Sequence, residues 1–290
     1  METVLEETKY LMKKYKIKAN KGLGQNFLVD DNALQDIANG ANIQENDLVI
    51  EIGPGLGSLT KLLLDKARKV ICVELDKNML KLLNDRFIAY NNFEIINNDI
   101  LKVDLNKLIK EEKEKDSAIQ NVRVVANLPY YITTPIIMKL IENDLDIQSI
   151  TVMIQKEVAD RLIAIPGEKE TGAITYAVYY YAIAEAILEV PKESFIPEPE
   201  VTSKVIKLNI RKEPPIEVQD KELMFKIIKS AFMQRRKTLI NALNNAKIFQ
   251  NKEEGNQILE SLKLDESVRA EKLTLENFAD ITNRILKKGI

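Results

Sequence analysis

The 290-residue sequence contains no histidine. That absence removes Ser-His-Asp triads, Cys-His pairs and histidine-ligated metals in one step. A single cysteine, Cys72, rules out an intramolecular disulfide and leaves a zinc site without ligands, so no metal is expected. Within the apolar run VICVE, Cys72 reads as a small buried hydrophobe. No run of about 18 apolar residues occurs, which excludes a transmembrane helix and makes a membrane partner unexpected. The opening segment METVLEETKYLMKKYK lacks the apolar core of a signal peptide, so a cytoplasmic location is expected. Chemistry in this chain must run on carboxylates, amides, hydroxyls, the backbone or a bound cofactor.

Hydrophobic residues make up 45% of the chain and charged residues 30%, enough apolar matter for a substantial globular core plus a smaller second domain. The net charge of −2 by itself argues against a nucleic-acid partner, although the distribution of charge matters more than its sum. Lys9, Lys13, Lys14, Lys16, Lys18 and Lys21 crowd the N-terminal segment, and Lys226, Lys229, Arg235, Arg236 and Lys237 form a second cluster. Acidic residues gather elsewhere, in EEKEKD and NKEEGN. Either basic run alone reads first as a solvated helix face.

From about residue 47, short apolar runs alternate with helical periods. LVIEIG (48–53), KVICVEL (69–75), FEIIN (93–97), VRVVAN (122–127) and ITVMIQ (150–155) read as strands by length and β-branched content. SLTKLLLDKA, KNMLKLLNDRFIAY and ITTPIIMKLIEND read as helices between them. Such alternation predicts right-handed βαβ crossovers and a mostly parallel sheet. AITYAVYYYAIAEAILEV and TSKVIKLNI read as two long β-rich segments, an antiparallel pair closing one edge of the sheet. KEEKEKDSAIQ has little apolar content and reads as solvated surface. The polar, proline-containing stretch KEPPIEVQD (212–220) marks a domain boundary, and helical periodicity fills the remainder. The expected organisation is a sheet domain over 1–212 and a small all-α domain over 213–290.

Ligands of doubly wound sheets sit at the carboxyl ends of the strands, so the polar residues there are the candidate site. The first strand ends in Glu51-Ile52-Gly53-Pro54-Gly55-Leu56-Gly57, followed by Ser58. Glycines there let the backbone approach a ligand closely, and the following helix N–H groups can receive an anion or a carboxylate. The G-x-G-x-G spacing differs from the G-x-G-x-x-G that seats a dinucleotide pyrophosphate. A tight strand-to-helix turn without a ligand would need the same glycines. Glu74 follows Gly53 by 21 residues, at the end of the next strand, where a carboxylate accepts from both hydroxyls of a ribose. Asp99, one strand further along, can accept from an adenine amino group, or can act as a helix cap or turn residue. Three sites on sequential strands fit one adenosine bound across the crevice.

Asn127-Leu128-Pro129-Tyr130 ends the fourth strand. An adenine N6 amine is a poor nucleophile because its lone pair is delocalised into the ring. Methyl transfer from a sulfonium releases a neutral leaving group and needs no general acid. An acceptor pair that bends N6 out of the ring plane would help, and the Asn127 side-chain oxygen with the Leu128 carbonyl supplies one. Pro129 would hold that peptide extended, and Tyr130 would stack on an unstacked base. The bland alternative is an Asn-x-Pro turn with a packed tyrosine.

These residues resemble the ribosomal RNA adenine N6,N6-dimethyltransferases. GLGQNFL (22–28), EIGPGLGSLT, VELD, NNDIL, NLPYYITTPI, SFIPEPEVTS (194–203) and AFMQRRKTL (231–239) are similar to that family's motifs in order, over nearly the whole chain. The resemblance implies a Rossmann-like methyltransferase sheet with a small helical C-terminal domain. It implies S-adenosyl-L-methionine as cofactor, contacted by Asn26, Leu28, Gly53, Gly55, Glu74, Asp99 and Asn127. It further implies dimethylation of two adjacent adenines in the 3′-terminal hairpin loop of small-subunit ribosomal RNA, with an immature small ribosomal subunit as partner and a part in ribosome biogenesis. Lys13, Lys14, Lys18, Lys21, Gln234, Arg235, Arg236 and Lys237 become RNA-contact candidates. Phe195 and Ser203 are candidates to line the target pocket. Nothing presents a coiled-coil seam, and a monomer is expected. Three alternatives stand beside this: a macrolide-resistance methyltransferase of large-subunit RNA, an assembly factor in which methylation is secondary, and a nicotinamide-dependent oxidoreductase, which the glycine spacing and NLPY disfavour.

Overall fold

The computed structural model describes residues 3–168 and 170–288. In chain order, α1 (Val4–Lys14), β1 (Phe27–Leu28) and α2 (Asp31–Gly40) lead into β2 (Asp47–Ile52), α3 (Ser58–Leu64), β3 (Lys69–Glu74), α4 (Lys77–Arg86) and β4 (Phe93–Asn97). Next come α5 (Leu105–Lys115), β5 (Asn121–Asn127), α6 (Thr133–Glu142), β6 (Ser149–Gln155), α7 (Lys156–Ile163), α8 (Ala173–Tyr181), β7 (Ala182–Val190), β8 (Phe195–Ile196) and β9 (Ser203–Ile210). The chain ends in α9 (Lys221–Met233), α10 (Leu239–Asn245), α11 (Lys252–Ser261) and α12 (Leu275–Lys288). Two compact units result: residues 1–159 with 184–210, and residues 160–183 with 211–290.

The first unit is built on a seven-stranded sheet of order β4-β3-β2-β5-β6-β9-β7. β4, β3, β2, β5 and β6 are mutually parallel, and β9 runs antiparallel to β6, between it and the edge strand β7. Every residue of β2 is buried, as expected for a strand covered on both faces. Successive strands leave β2 first through β3 to β4, then through β5 to β6. The order therefore reverses between β2 and β5, which opens a crevice beyond their carboxyl ends. A separate two-stranded ladder pairs Phe27 with Ile196 and Leu28 with Phe195, tying the N-terminal segment to the loop before β9.

Aspartates start several helices by accepting from first-turn N–H groups: Asp30 before α2, Asp76 before α4 and Asp104 before α5. The α5 helix corrects the expectation for KEEKEKDSAIQ. Most of its charges do face solvent, but Glu112 is buried, with Lys115 at 2.7 Å and Lys69 also paired to it.

The second unit is helical, packed around Tyr176, Ile227, Leu243, Leu259 and Phe278. It includes residues 160–183, which the sequence pattern assigns to the sheet domain. AITYAVYYYAIAEAILEV is not one strand. Residues 173–181 form α8, and the strand begins only at Ala182. The β-branched and aromatic content misleads here because packing overrides propensity. Tyr176 and Tyr180 lie one turn apart on a buried helical face. The Tyr176 hydroxyl donates to the Leu273 carbonyl at 2.6 Å, and its ring meets Phe278 edge-on at 5.1 Å. Among the described residues no helix is long and apolar enough to cross a membrane.

Candidate active site

The crevice beyond β2 and β5 is lined by the glycine loop, the ends of β3 and β5, and the N-terminal segment 23–28. The three loop glycines differ in purpose. Gly53 has φ +67°, and a Cβ built on it would meet nothing within 4 Å, so its missing side chain leaves open space in the crevice. Gly57, φ +81°, packs against Phe87, whose ring a Cβ would meet at 2.7 Å, and so serves helix packing. Gly55, φ +57°, lies against the Phe27 ring, and its N–H points to Glu74 Oε2 at 3.3 Å.

Glu74 is buried at the end of β3. Its Oε1 accepts from the Asp76 N–H at 2.7 Å and its Oε2 from Gly55. Burial pushes its carboxyl above the usual range, and the two N–H groups partly offset that. Two oriented oxygens, each with a further lone pair, match a ribose diol. Asp99 uses Oδ1 to accept the Leu101 N–H at 2.9 Å, so the turn role is real, and Oδ2 has no donor among the described residues. With Gly53 leaving room between strand ends, these groups fit an adenosine-bearing cofactor such as S-adenosylmethionine.

Asn127 is half-buried at the end of β5. Its Nδ2 donates to the Asn26 carbonyl at 3.1 Å. That contact fixes the amide's orientation, because a carbonyl can only accept, and it presents Oδ1 as the open acceptor. The next two carbonyls differ in the same way. Pro129's accepts from Thr133 Oγ1 at 3.1 Å and the Ile132 N–H at 3.3 Å, whereas Leu128's receives no donor among the described residues. Pro129 has φ −58° and ψ 134°, the extended geometry its ring favours. Tyr130 is held by a 2.7 Å hydrogen bond to Ser203 Oγ, and burial raises its phenol pKa.

Asn26 and Leu28 both line the crevice. Ser203 is fully buried and acts on the site through Tyr130, but Phe195 belongs to the hydrophobic core and does not line the crevice. Glu51 stands at the end of the first strand in the sequence, which gives it no role. It is buried on the crevice, and its Oε2 accepts from Thr60 Oγ1 at 2.6 Å and Cys72 Sγ at 3.3 Å. Burial raises its pKa to about 7 against those hydrogen bonds, with Glu74 adding to the rise. The signal was present: an acid inside an otherwise apolar central strand.

Lys13, Lys14, Lys18 and Lys21 are exposed and form no ion pair among the described residues. Arg236 and Lys237 are likewise exposed at the turn after α9. Gln234 and Arg235 are partly committed within the helical unit: Gln234 Oε1 accepts from Asn245 Nδ2 at 2.9 Å, and Arg235 donates to the Thr171 carbonyl at 3.2 Å. No group of three potential metal ligands occurs among the described residues.

Residues 16–287 match the family described as ribosomal RNA adenine dimethylase. Two curated relatives carry the name ribosomal RNA small subunit methyltransferase A. One, from Alkaliphilus metalliredigens, is 47% identical over 279 residues, covering 96% of each chain. The other, from Alkaliphilus oremlandii, is 46% identical over 98% of this chain and 97% of its own. Among solved structures, a dimethyladenosine transferase from Plasmodium falciparum is similar, with a TM-score of 0.75 at 26% identity, covering 91% of this chain and 98% of that one. A nicotinamide-dependent oxidoreductase is thereby set aside, and the chain belongs to the ribosomal RNA adenine dimethylase family.

Proposed function

We propose that this protein transfers methyl groups from S-adenosylmethionine to N6 of two adjacent adenines in the 3′-terminal hairpin loop of 16S ribosomal RNA, two methyls on each, during small-subunit biogenesis. The observation that carries the mechanism is the pair of open acceptors, Asn127 Oδ1 and the Leu128 carbonyl, on the same crevice as the Glu74 and Asp99 carboxylates.

When bound, the cofactor supplies an electrophilic methyl on a sulfonium that leaves as a neutral thioether. Glu74 accepts from the ribose hydroxyls, and Asp99 Oδ2 accepts from the cofactor's adenine amine. Leu28 packs against the cofactor, and Asn26 holds the Asn127 amide while lining the same crevice. Asn127 and Leu128 accept the two N6–H bonds of the target, which draws the nitrogen toward tetrahedral geometry and localises its lone pair. As the new N–C bond forms, the surplus N6 proton passes to water, so no histidine is required. After one methylation a single N6–H remains, and either acceptor suffices to hold it. Tyr130, steadied by Ser203, offers its ring to the flipped base.

The exposed lysines at 13, 14, 18 and 21, with Arg236 and Lys237, supply phosphate attraction that is insensitive to sequence. On the helical unit, Gln234 and Arg235 add their remaining hydrogen-bonding capacity beside Arg236 and Lys237. The sheet unit is the catalytic part and the helical unit an RNA-contacting part of a monomer working in the cytoplasm.

The test is incubation with tritiated S-adenosylmethionine and small subunits from a strain lacking the modification, followed by mass spectrometry of RNA fragments. Dimethyladenosine at two neighbouring positions near the 3′ end is the expected result. Label on large-subunit RNA would replace the substrate. Cofactor binding without label would transfer the role to assembly, and an Asn127→Ala strain with normal subunit assembly but no methyl mark would separate the two roles.

A further inference from the structure

The segment Asn20–Leu28 crosses the crevice. Two neighbouring residues of it, Gln25 and Asn26, reach opposite halves of the site. The Gln25 amide is used at both ends: Oε1 accepts from the Asn20 N–H at 2.8 Å, and Nε2 donates to Asp76 Oδ2 at 3.0 Å. Asp76 is itself buried and occupied. Its Oδ1 accepts from the N–H of Asn78 at 3.0 Å and from that residue's Nδ2 at 2.8 Å, and its own N–H donates to Glu74 Oε1 at 2.7 Å. One residue along, the Asn26 carbonyl receives Asn127 Nδ2. Gly24, φ +61°, lets the segment lie against Pro129 and Tyr131, each about 3.4 Å from where a Cβ would stand.

We infer that Gln25 is a positioning residue that latches the segment to Asp76, and thereby holds both the cofactor carboxylate Glu74 and the target amide Asn127 in register. This rests on the reading of Glu74 and Asn127 proposed above. Gln25 lines the same crevice, but both ends of its amide are already engaged by Asn20 and Asp76. Only an amide suits the position as built, because one end must accept from a main-chain N–H while the other must donate to a carboxylate. Losing the latch frees the segment on the Glu74 side and slackens the Asn26–Asn127 contact that follows it.

The polarity of this bond provides the test. Gln25→Glu sets two carboxylates against each other. Adding Asp76→Asn reverses the bond: a glutamate at 25 still accepts from Asn20, and its other oxygen accepts from the new Asn Nδ2. The new Asn Oδ1 still caps α4, and the number of negative charges at the pair returns to one. Calorimetric titration of the full-length protein with S-adenosylhomocysteine reads the outcome without RNA. Gln25→Glu is expected to weaken binding by about tenfold or more, and Asp76→Asn on top of it to recover most of that loss. Methyl transfer at saturating cofactor should follow the same pattern, with a smaller fall. Should Gln25→Glu fold poorly, Gln25→Ala is expected to bind a few-fold more weakly at an unchanged melting temperature. Wild-type affinity in the Gln25 variants, or a double variant no better than Gln25→Glu, overturns the inference. Absence of binding by the wild type would instead overturn the cofactor reading on which it rests.

Discussion

The two ends of the central sheet carry buried acids in opposite circumstances. At the amino ends of β2 and β5, Asp47 is fully buried and paired with Arg123 Nε. Its Oδ1 also accepts from Asn121 Nδ2 at 3.1 Å and its Oδ2 from the Gln44 N–H at 2.9 Å. Arg123 Nη1 donates to Ser149 Oγ at 3.0 Å and to the Ala41 carbonyl. At the carboxyl ends, Glu51 and Glu74 are also buried, yet neither forms an ion pair among the described residues. A buried charge with its partner in place belongs to the fold. A buried charge held only by neutral donors, with an open crevice beside it, is arranged for something that arrives later. With the function proposed above, the same strands carry stability at one end and binding at the other, the usual division of a doubly wound sheet.

The contrast breaks most visibly if the ends are exchanged in function. Arg123→Ala should leave Asp47 buried without its cation and cost about 3–5 kcal/mol in urea denaturation, while the folded fraction binds cofactor normally. A small loss of stability, or a specific loss of cofactor affinity, would dissolve the distinction. Asn127→Ala should do the reverse. Methyl transfer should fall by about a hundredfold or more, comparable with loss of one oriented polar group at a reacting centre, with the melting temperature little changed. Glu74→Gln sharpens the point. Cofactor affinity should drop by roughly ten- to a hundredfold, since charge-assisted bonds to the ribose become neutral ones. Stability at pH 7 should hold or rise, because the variant no longer buries a carboxylate whose pKa burial has raised.

A further effect concerns pH. The Glu51 carboxyl rises from 4.5 to about 7 in the folded chain, so it holds its proton more tightly folded than unfolded. Its contribution is therefore present below about 4.5 and is lost as pH climbs to about 7, of the order of 3 kcal/mol at most. Glu51→Gln should flatten the stability profile between pH 5 and 7 and raise stability at pH 8. An unchanged slope in thermal melts across that range would remove Glu51 as the source.

Much of this was legible in the chain before any fold was known. The five parallel strands lie within a residue or two of where alternation and β-branched content put them, because buried parallel strands need short, continuous apolar runs. The residues at their ends stand out because a polar group that stops an apolar run has few reasons to be there. The region 173–190 was not legible. Tyr176 and Tyr180 look like strand residues until Leu273 and Phe278, nearly 100 positions later, give that helical face something to pack on.

What the sequence alone determined is local: which segments become strands or helices, which glycines stand at a strand-to-helix turn, and which acids and amides cap the strands. Backbone sterics and side-chain period act over a few residues and can be read there. What only the tertiary structure decided is pairing at a distance. Asn26 meets Asn127 across 101 positions, Gln25 meets Asp76 across 51, and Asp47 meets Arg123 across 76. Each contact depends on where the strand order reverses and how the N-terminal segment returns over the sheet. Hydrogen bonds of this kind need partners within about 3 Å, a condition that only the assembled chain meets.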